Sequence, residues 1–411
     1  MRIVHLTQST TAEITGGVEH HVDYLAAALR QLGHEIIVVG TTSLTRDEPS
    51  GKAVSLEVRA RWFTILPPFL RHSLDALHET VAMFVRRLFR FRHARQIARH
   101  VAELQPDLIH EHSYIGELRT CQLLLRKYPL VFTNHTGAYL HLDRWTPTRW
   151  LQRQWMKCFA AVIAPSRELL PATNNSWYVP NGVDTTKFYP ASVEERAVLK
   201  EKHLYAGKRV FLCARRWAPT KGILYLAKAL HHLPASVRSQ SVFLFAGNET
   251  PGYTRYQENV RQTLAASGCE FHVLGNLNHA ALAEQIHLAD LCIFPSLMEA
   301  TSLACLESMA CAVPVLGTRT GGLLELIQED VTGWLVQPRD EKSLAVQIEH
   351  VFRSPSENLK QAGRRAAEFV RESYTWEAVA HQTDAVYRQA LRRWASQHCA
   401  GLPTITGWET D

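Results

Sequence analysis

Two Rossmann-like domains, each with a parallel β-sheet, are the α/β fold class that the sequence predicts. Short apolar runs alternate with segments of helical periodicity in both halves of the chain, a pattern typical of a parallel sheet covered by helices. The 411 residues are enough for two domains of ordinary size. Because such domains bind ligands in the loops after their strands, we expect the functional residues in those loops.

The first half of the chain opens with a β–loop–α–β unit. Residues 2–6 form a predicted strand, Gly16 and Gly17 begin a helix, and residues 36–39 form the next strand. The unit has no G-x-G-x-x-G motif and no acidic residue after the second strand, which disfavours a dinucleotide cofactor. The two glycines either let the backbone approach a ligand or a facing domain, or form a simple tight turn.

Residues 61–104 carry dense positive charge. Val81, Ile97 and Val101 recur at helical spacing, and six arginines lie among them: Arg86, Arg87, Arg90, Arg92, Arg95 and Arg99. A basic amphipathic segment of this kind can rest on an anionic membrane surface. It can equally be a helix that packs on the sheet and exposes its arginines to solvent.

Three histidines raise the question of a metal site. His110 and His112 stand at the end of a predicted strand, and His135 follows the next one. No carboxylate or cysteine accompanies them at a useful spacing, so we expect no metal. The 8 cysteines form no C-x-x-C pair, and we interpret them as buried thiols of a reducing compartment.

Composition indicates an ordinary globular protein, with 46% hydrophobic and 20% charged residues. The net charge of +6 is too small to indicate nucleic acid as a partner. The N-terminus resembles a strand and not a signal peptide, and no run of about eighteen uncharged apolar residues predicts a transmembrane helix. We expect a cytoplasmic protein, peripheral at the inner face of the membrane if the basic segment binds lipid.

A second alternation of strands and helices begins near residue 210. The loop after its first strand reads ARRWAPTKG and leads directly into a helix. Cations before a helix N-terminus conflict with the positive end of the helix dipole, and a bound anion would relieve that conflict. We therefore interpret Arg216 and Lys221 as ligands of a diphosphate, with solvent-facing loop cations as the alternative.

Residues 294–322 form a predicted strand–loop–helix unit with two carboxylates. Glu299 lies in the loop, and Glu307 lies inside the helix eight positions later. The helix start offers three backbone N–H groups to an anion, those of Thr301, Ser302 and Leu303. Carboxylates fit beside an anion if they bind hydroxyl groups, so a polyol joined to a phosphate, as in a nucleotide sugar, matches the pattern. The alternative is two solvent-exposed glutamates.

Together these features resemble family 4 of the retaining glycosyltransferases. The shared motifs are Arg216…Lys221-Gly222, Phe294-Pro295-Ser296, the E-x(7)-E pair of Glu299 and Glu307, and Pro314…Gly321-Gly322…Glu325. The resemblance extends to the first half, in the Gly16-Gly17 pair, the PDLIHEHS segment and the strand before His135. It covers nearly the whole chain and implies two facing domains with a cleft between them, the GT-B architecture.

Three parts of the chain are expected on this basis. Residues 1–183 form an acceptor-side domain, and residues 184–375 form the domain that binds the nucleotide sugar. Residues 376–411 contain a helix that crosses back to the first domain and a mobile tail.

The resemblance implies a role for each matching residue of the second half. Glu299 would hold hydroxyls of the donor sugar, and Glu307 would hold the ribose hydroxyls of the nucleotide. Arg216 and Lys221 would neutralise the diphosphate as it leaves. Family members of this type need no metal ion or other cofactor, because these cations and the helix amides take that role.

Further positions complete the implied site. His135 would lie under the reacting sugar, while Gly16 and Gly17 would approach the phosphate or the acceptor. The donor-binding set also includes Asn276 after its strand and the helix amides already named, at Thr301, Ser302 and Leu303.

Two positions depart from the family pattern. Arg215 stands where the family usually has a glycine before the motif arginine. The family commonly has glycine-x-glycine after the first glutamate, and here Ala300, Thr301 and Ser302 follow. Side chains at these places would crowd the donor or alter its orientation, which leaves the identity of the sugar open.

The leading hypothesis is a retaining glycosyltransferase that uses a nucleotide-diphosphate sugar in glycan, polysaccharide or glycolipid synthesis. UDP-linked donors are favoured over GDP-linked donors such as GDP-mannose. The acceptor is a hydroxyl group, either on a lipid-linked glycan or on a soluble small molecule. A nucleotide-sugar epimerase of the same architecture and a non-catalytic nucleotide-sugar-binding protein are the alternatives. The E-x(7)-E pair with Arg216 and Lys221 favours transfer over epimerisation.

Overall fold

The computed structural model describes residues 1–7, 17–41, 45–47, 53–55, 91–112, 118–135, 146–247 and 252–398. The chain forms two compact units. The N-terminal unit consists of residues 1–164, 170–179 and 380–411, and the C-terminal unit consists of residues 165–169 and 180–379. Three regions with sequence-based expectations lie outside the described residues: Gly16, residues 61–90 of the basic segment, and the end of the chain at 399–411.

One sheet forms the centre of the N-terminal unit. Its strands are β1 (Arg2–Thr7), β2 (Glu35–Gly40), β3 (Thr45–Asp47), β4 (Ala53–Ser55), β5 (Leu108–Glu111), β6 (Leu130–Thr133), β7 (Ala161–Ala164) and β8 (Ser176–Tyr178). Their order is β4-β3-β2-β1-β5-β6-β7-β8. The six strands from β2 to β8 in this order run parallel, and β3 and β4 add an antiparallel edge that the sequence did not predict.

Helices cover this sheet, and their apolar stripes supply the rest of its core. They are α1 (Gly17–Gln31), α2 (Phe91–Glu103), α3 (Leu118–Leu124) and α4 (Thr146–Lys157). Ile3 and Val4 of β1 are both fully buried although they point to opposite faces. Burial on both faces is what a parallel sheet with helices on each side requires. Leu25 and Leu29 of α1, four residues apart, pack inward as the helical spacing predicts.

Helix α2 is the described part of the basic segment. Ile97 and Val101 on one side of the helix are fully buried, while Arg95 and Arg99 are exposed. The apolar face of this helix is therefore part of the N-terminal core. No helix within the described ranges is long and apolar enough to cross a membrane.

The C-terminal unit has a purely parallel sheet. Its strands are β9 (Arg209–Ala214), β10 (Ser241–Ala246), β11 (Glu270–Gly275), β12 (Leu291–Phe294), β13 (Val315–Thr318) and β14 (Gly333–Val336). They lie in the order β11-β10-β9-β12-β13-β14. This is the doubly wound Rossmann order, which reverses direction between β9 and β12. The predicted α/β class with parallel sheets is confirmed.

Nine helices surround this sheet within the described residues. They are α5 (Val193–Lys202), α6 (Ile223–Leu230), α7 (Ala235–Ser239), α8 (Thr254–Ala266), α9 (His279–Leu288), α10 (Leu303–Ala310), α11 (Leu323–Leu326), α12 (Glu341–Arg353) and α13 (Ser356–Ser373). Side-chain caps fix several helix starts. Ser192 and Glu195 form a reciprocal capping box at α5, and Asn278 caps α9. Each cap contributes about 1 kcal/mol.

The last helix, α14 (Trp376–His398), belongs to the N-terminal unit from Ala380 onward. Tyr387 is fully buried there, and Asp384 Oδ1 lies 3.0 Å from His34 Nε2. The chain therefore completes its first unit with its last helix.

Helix α13 packs closely on the turn between α10 and β13. A Cβ atom at Gly363 would lie 1.9 Å from the carbonyl oxygen of Ala312 and 3.3 Å from the Pro314 ring. The helix backbone therefore approaches the turn to a distance that only glycine permits.

We expect Gly363→Ala to lower the free energy of unfolding by about 1–3 kcal/mol, because the helix must move away from the turn. Where no such contact exists, the same change would stabilise a helix by up to about 1 kcal/mol. Urea unfolding followed by circular dichroism measures the sign. Gln361→Ala, at an exposed position of the same helix, is the control and should change stability by less than about 0.5 kcal/mol. A stabilised Gly363→Ala protein would contradict the close packing.

Candidate active site

The reversal point of the C-terminal sheet brings two loops together. Strands β9 and β12 are neighbours, and the loops after them cover residues 215–222 and 295–302. The Thr220 carbonyl accepts hydrogen bonds from the backbone N–H of Leu297 at 2.8 Å and of Met298 at 3.2 Å. Doubly wound sheets bind their ligands at this kind of crevice. Both predicted anion-binding loops therefore lie where the fold provides a site.

Two glycines allow close backbone approaches to the loop after β12. Gly222 has a φ of 67°, and a Cβ atom there would lie 1.7 Å from the carbonyl oxygen of Pro295. Gly321 has a φ of 46°, and its Cβ would lie 1.7 Å from the carbonyl oxygen of Glu299. Any side chain at either position would displace the loop that it meets. Both motif glycines are therefore required by the packing of this site.

Glu299 is buried and is neutralised by two cations. Lys221 Nζ donates to its Oε1 at 3.1 Å and to its Oε2 at 3.0 Å, and the Arg215 guanidinium forms an ion pair with Oε2. The hydroxyl of Ser296 also donates to Oε2, at 3.1 Å. Among the described residues, three side chains contact Oε2 and only Lys221 contacts Oε1. Oε1 is therefore the oxygen that can accept a further hydrogen bond from a ligand hydroxyl.

Arg215 is the buried centre of this group. Its Nη1 donates to Ser302 Oγ at 2.9 Å and its Nη2 donates to Ser296 Oγ at 2.8 Å, while the guanidinium lies 5.7 Å from the centre of the Phe294 ring. Burial lowers the pKa of Arg215 to about 10, so this side chain is charged at neutral pH. The adjacent Arg216 is exposed.

Lys221 lies in a field of positive charge. Burial, and then the charges of Arg215 and Arg216, hold the pKa of its ammonium well below the ordinary lysine value. An anion bound nearby would oppose the effect of both arginines. Three basic side chains, those of Arg215, Arg216 and Lys221, lie on this loop, and two of them pair with Glu299; the remaining positive charge favours an anionic ligand.

The start of helix α10 adds backbone donors. Ser302 caps the helix, with its Oγ accepting from the N–H of Cys305 at 3.2 Å. The first N–H groups of a helix have no intrahelical partner, and the helix dipole places partial positive charge there. Leu303 is the first residue of α10. The Thr301 hydroxyl donates to the carbonyl of Pro165 at 2.5 Å, so this side chain is held by the 165–169 segment of the same unit.

Glu307 and Asn276 have different surroundings. Glu307 is partly buried on α10, and burial raises the pKa of its carboxyl to about 7. A carboxyl near the midpoint of its titration at neutral pH is typical of a functional site. Asn276 follows β11, which is separated from β9 by β10, and its side chain is exposed. Glu307 is therefore on the helix that starts at the site, whereas Asn276 lies two strands away.

A separate histidine cluster lies in the N-terminal unit. His5 on β1 pairs in register with His110 on β5, and His112 follows two residues later. His21 is on α1, and His135 follows β6. His135 is partly exposed, and the other four are buried. The sequence pattern indicated His110, His112 and His135 but missed His5 and His21, because a histidine inside an apolar strand or an amphipathic helix carries no spacing signal.

Hydrogen bonds connect the cluster into one chain. The successive contacts are Thr133 Oγ1 to His110 Nε2 at 2.6 Å, His110 Nδ1 to Tyr387 Oη at 2.6 Å, Tyr387 Oη to His5 Nε2 at 3.2 Å, His5 Nδ1 to His112 Nε2 at 3.2 Å, and His112 Nδ1 to His135 Nε2 at 3.1 Å. Burial lowers the pKa of His5 to about 3 and lowers the pKa values of the other three bonded histidines well below the ordinary value. These four imidazoles are therefore neutral at physiological pH.

The structure thus joins some of the predicted residues and separates others. Lys221 pairs directly with Glu299, and Arg215 links Glu299 to Ser302. The sequence did not predict the burial of Arg215. Gly17 begins α1, and a Cβ atom there would meet no described atom within 4 Å. The packing of the described residues therefore does not require a glycine at this position.

Adjacent arginines allow a matched test of the buried ion group. We expect Arg215→Met to lower the free energy of unfolding by about 2–4 kcal/mol, because it removes one of the two cations that neutralise buried Glu299. The neighbouring Arg216→Met should change stability by less than about 0.5 kcal/mol, because that side chain is exposed. Urea unfolding of both variants measures the difference, and equal effects would show that Arg215 does not hold the loops.

Most of the chain matches sequence models of glycosyltransferase families. A sequence model described as Glycosyltransferase Family 4 matches residues 15–187, and one described as Glycosyl transferases group 1 matches residues 195–369. The chain is similar to glycogen synthase of Mycobacterium tuberculosis, with 24% identity over 413 residues that cover 95% of each chain.

Solved structures of similar fold cover nearly the whole chain. Sucrose-phosphate synthase of Thermosynechococcus elongatus superposes with a TM-score of 0.75 at 20% identity, over 95% of this chain and 99% of its own. Anabaena HepE in complex with UDP superposes with a TM-score of 0.72 at 18% identity, over 94% of this chain and 100% of its own. The chain belongs to glycosyltransferase family 4 and is a glycosyltransferase of the GT-B type.

Proposed function

We propose that this glycosyltransferase moves a sugar from a nucleotide-diphosphate sugar to a hydroxyl acceptor, with retention of anomeric configuration and without a metal ion. The observation that carries the proposal is the set of three basic side chains on the loop after β9, two of which pair with Glu299, at the reversal point of a Rossmann sheet. Cations and helix amides attract a diphosphate, and a carboxylate with a spare acceptor oxygen suits a sugar hydroxyl. UDP is the favoured nucleotide, and the UDP bound to the similar HepE structure supports that choice.

The diphosphate interacts with Arg216, Lys221 and the start of α10 in this proposal. Arg216 is exposed beside the buried group, so its guanidinium is available to an incoming anion. Lys221 has a depressed pKa, and the negative charge of a diphosphate would favour its ammonium form. As the sugar–phosphate bond breaks, these groups stabilise the charge that develops on the leaving group.

The two carboxylates bind hydroxyl groups of the donor. Glu299 accepts from a sugar hydroxyl at Oε1, since its Oε2 is occupied by protein donors. Glu307 accepts from the ribose hydroxyls in its ionised form. In the N-terminal unit, His135 is proposed to lie under the reacting sugar. Gly16 and Gly17 are proposed to let the backbone approach the phosphate or the acceptor.

Nucleotide binding tests the diphosphate site directly. We expect UDP to raise the melting temperature of the wild-type protein, and Arg216→Met to weaken UDP binding about 10–100-fold, because a charge-assisted hydrogen bond contributes about 1.5–3 kcal/mol. Isothermal titration calorimetry measures the affinity. Arg371→Met, an exposed arginine on α13, is the control and should bind UDP normally.

The transfer reaction requires a second measurement. UDP-sugars and a panel of hydroxyl acceptors are incubated with the protein, and released UDP and the anomeric configuration of the product are followed by NMR. Acceptor-dependent UDP release with retained configuration is expected. An epimerised nucleotide sugar without UDP release, or an inverted product, would refute the proposal.

The raised pKa of Glu307 predicts how UDP affinity depends on pH. A carboxyl with a pKa of about 7 is protonated below that pH, and a protonated carboxyl must lose its proton before it can accept from both ribose hydroxyls. UDP affinity should therefore fall by about tenfold from pH 8 to pH 6, beyond any change that Glu307→Gln shows. Calorimetry on the wild-type protein and on Glu307→Gln isolates the contribution of the Glu307 carboxyl, because the titration of UDP itself affects both proteins equally. Parallel pH profiles would exclude Glu307 from the ribose site.

A further inference from the structure

The histidine cluster of the N-terminal unit contains two overlapping groups with the spacing of metal ligands. One group is His5, His110 and His112, and the other is His21, His112 and His135. In each group the potential ligand nitrogens all lie within 4.8 Å of one another. The proposed sugar transfer uses only His135 of these five residues, so the cluster as a whole has no assigned role.

The two groups differ in how firmly their nitrogens are engaged. In the first group, both ring nitrogens of His110 are bonded to Tyr387 and Thr133, and both of His5 are bonded to His112 and Tyr387. A metal ion there would break several buried hydrogen bonds, each of which is costly to lose. In the second group, an ion between His112 Nδ1 and His135 Nε2 would replace the hydrogen bond between those two nitrogens.

We propose that His21, His112 and His135 form a binding site for Zn²⁺. Three imidazoles with a fourth position open to water or another ligand are an established zinc ligand set. Zinc–nitrogen bonds of about 2.0–2.1 Å in a tetrahedron place the ligand nitrogens about 3.4 Å apart. The nitrogens of His112 and His135 are 3.1 Å apart, close to that spacing, and the potential ligand atoms of all three residues lie within 4.8 Å of one another.

The chemistry of the three ligands fits a soft transition-metal ion. A neutral imidazole has a lone pair on one ring nitrogen, which is what a metal ion needs. Imidazole nitrogens favour Zn²⁺ over Mg²⁺ or Ca²⁺, which prefer oxygen ligands. The sequence-based expectation of no metal depended on the lack of a nearby carboxylate or cysteine, and it did not include His21.

The buried hydrogen-bond chain supplies a support for the ligand His112. If His112 Nδ1 binds the ion, its Nε2–H donates to His5 Nδ1, and His5 Nε2–H donates to Tyr387 Oη. Tyr387 then donates to His110 Nδ1, whose Nε2–H donates to Thr133 Oγ1. This one set of tautomers satisfies all four contacts, while the reverse set serves the metal-free protein. Such outer partners fix the tautomer and orientation of a metal-bound histidine.

Zinc titration of the tag-free, full-length protein tests the site. Calorimetry with ZnCl₂ should give one ion per chain, and CoCl₂ should give the intense visible bands of four-coordinate cobalt without thiolate charge-transfer absorption. His21→Ala and His112→Gln should each weaken Zn²⁺ binding by about 100-fold or more, since loss of a ligand exceeds the 10–100-fold effect of an outer partner. Tyr387→Phe should weaken it by about tenfold, and exposed His232→Ala should have no effect.

Several results would overturn the site. They are the absence of stoichiometric binding, the weak spectrum of six-coordinate cobalt, or unchanged affinity in His21→Ala with an unchanged circular dichroism spectrum. The wild-type cobalt spectrum decides the matter even if His112→Gln does not fold.

Inhibition of sugar transfer is a consequence that rests on the proposed function, because zinc would occupy the nitrogen of His135. Transfer measured with and without ZnCl₂ separates the two proposals. A protein that transfers sugar but does not bind Zn²⁺ refutes the metal site alone. A protein that binds Zn²⁺ and shows no transfer with any UDP-sugar refutes the proposed function alone.

Discussion

A buried carboxylate that must be neutralised is the constraint around which the C-terminal unit is arranged. Glu299 is buried in the loop at the carboxyl end of β12. An unpaired charge in that position would cost several kcal/mol. Arg215 and Lys221, both on the loop after β9, supply the opposite charge. The loops after β9 and β12 are therefore bound to each other by charge as well as by backbone hydrogen bonds. Gly222 and Gly321 follow from this arrangement, since any side chain would force the loops apart.

The two departures from the family pattern are in direct contact. Arg215 replaces a glycine in one loop, Ser302 replaces a glycine in the other, and Nη1 of the first donates to Oγ of the second at 2.9 Å. Each substitution thus provides the partner that the other needs, and a guanidinium fills the space between β9 and α10. Glu299 is held in one orientation as a result, and Oε1 is its oxygen left for a ligand. The two loops therefore constrain each other through this contact.

The sequence predicted the elements whose signal is local. The apolar runs and strand-end motifs predicted the sheets and placed Lys221 and Glu299 in neighbouring loops, because parallel strands end at the same edge. Two adjacent arginines carry no local signal that shows which of them is buried. The burial of Arg215 and the exposure of Arg216 could therefore not be predicted from the sequence. Tyr387 could not have been linked to its partner His110 either, because 277 positions separate them and only the tertiary fold brings them together.

The position of Tyr387 on the last helix has a consequence for synthesis on the ribosome. The C-terminal unit is almost continuous in sequence, from residue 180 to residue 379, and can fold as soon as that stretch has emerged. The N-terminal unit, although translated first, lacks the hydroxyl that joins His5 to His110 until α14 leaves the exit tunnel. The buried hydrogen-bond chain of the N-terminal unit can therefore be completed only after the last helix has been synthesised.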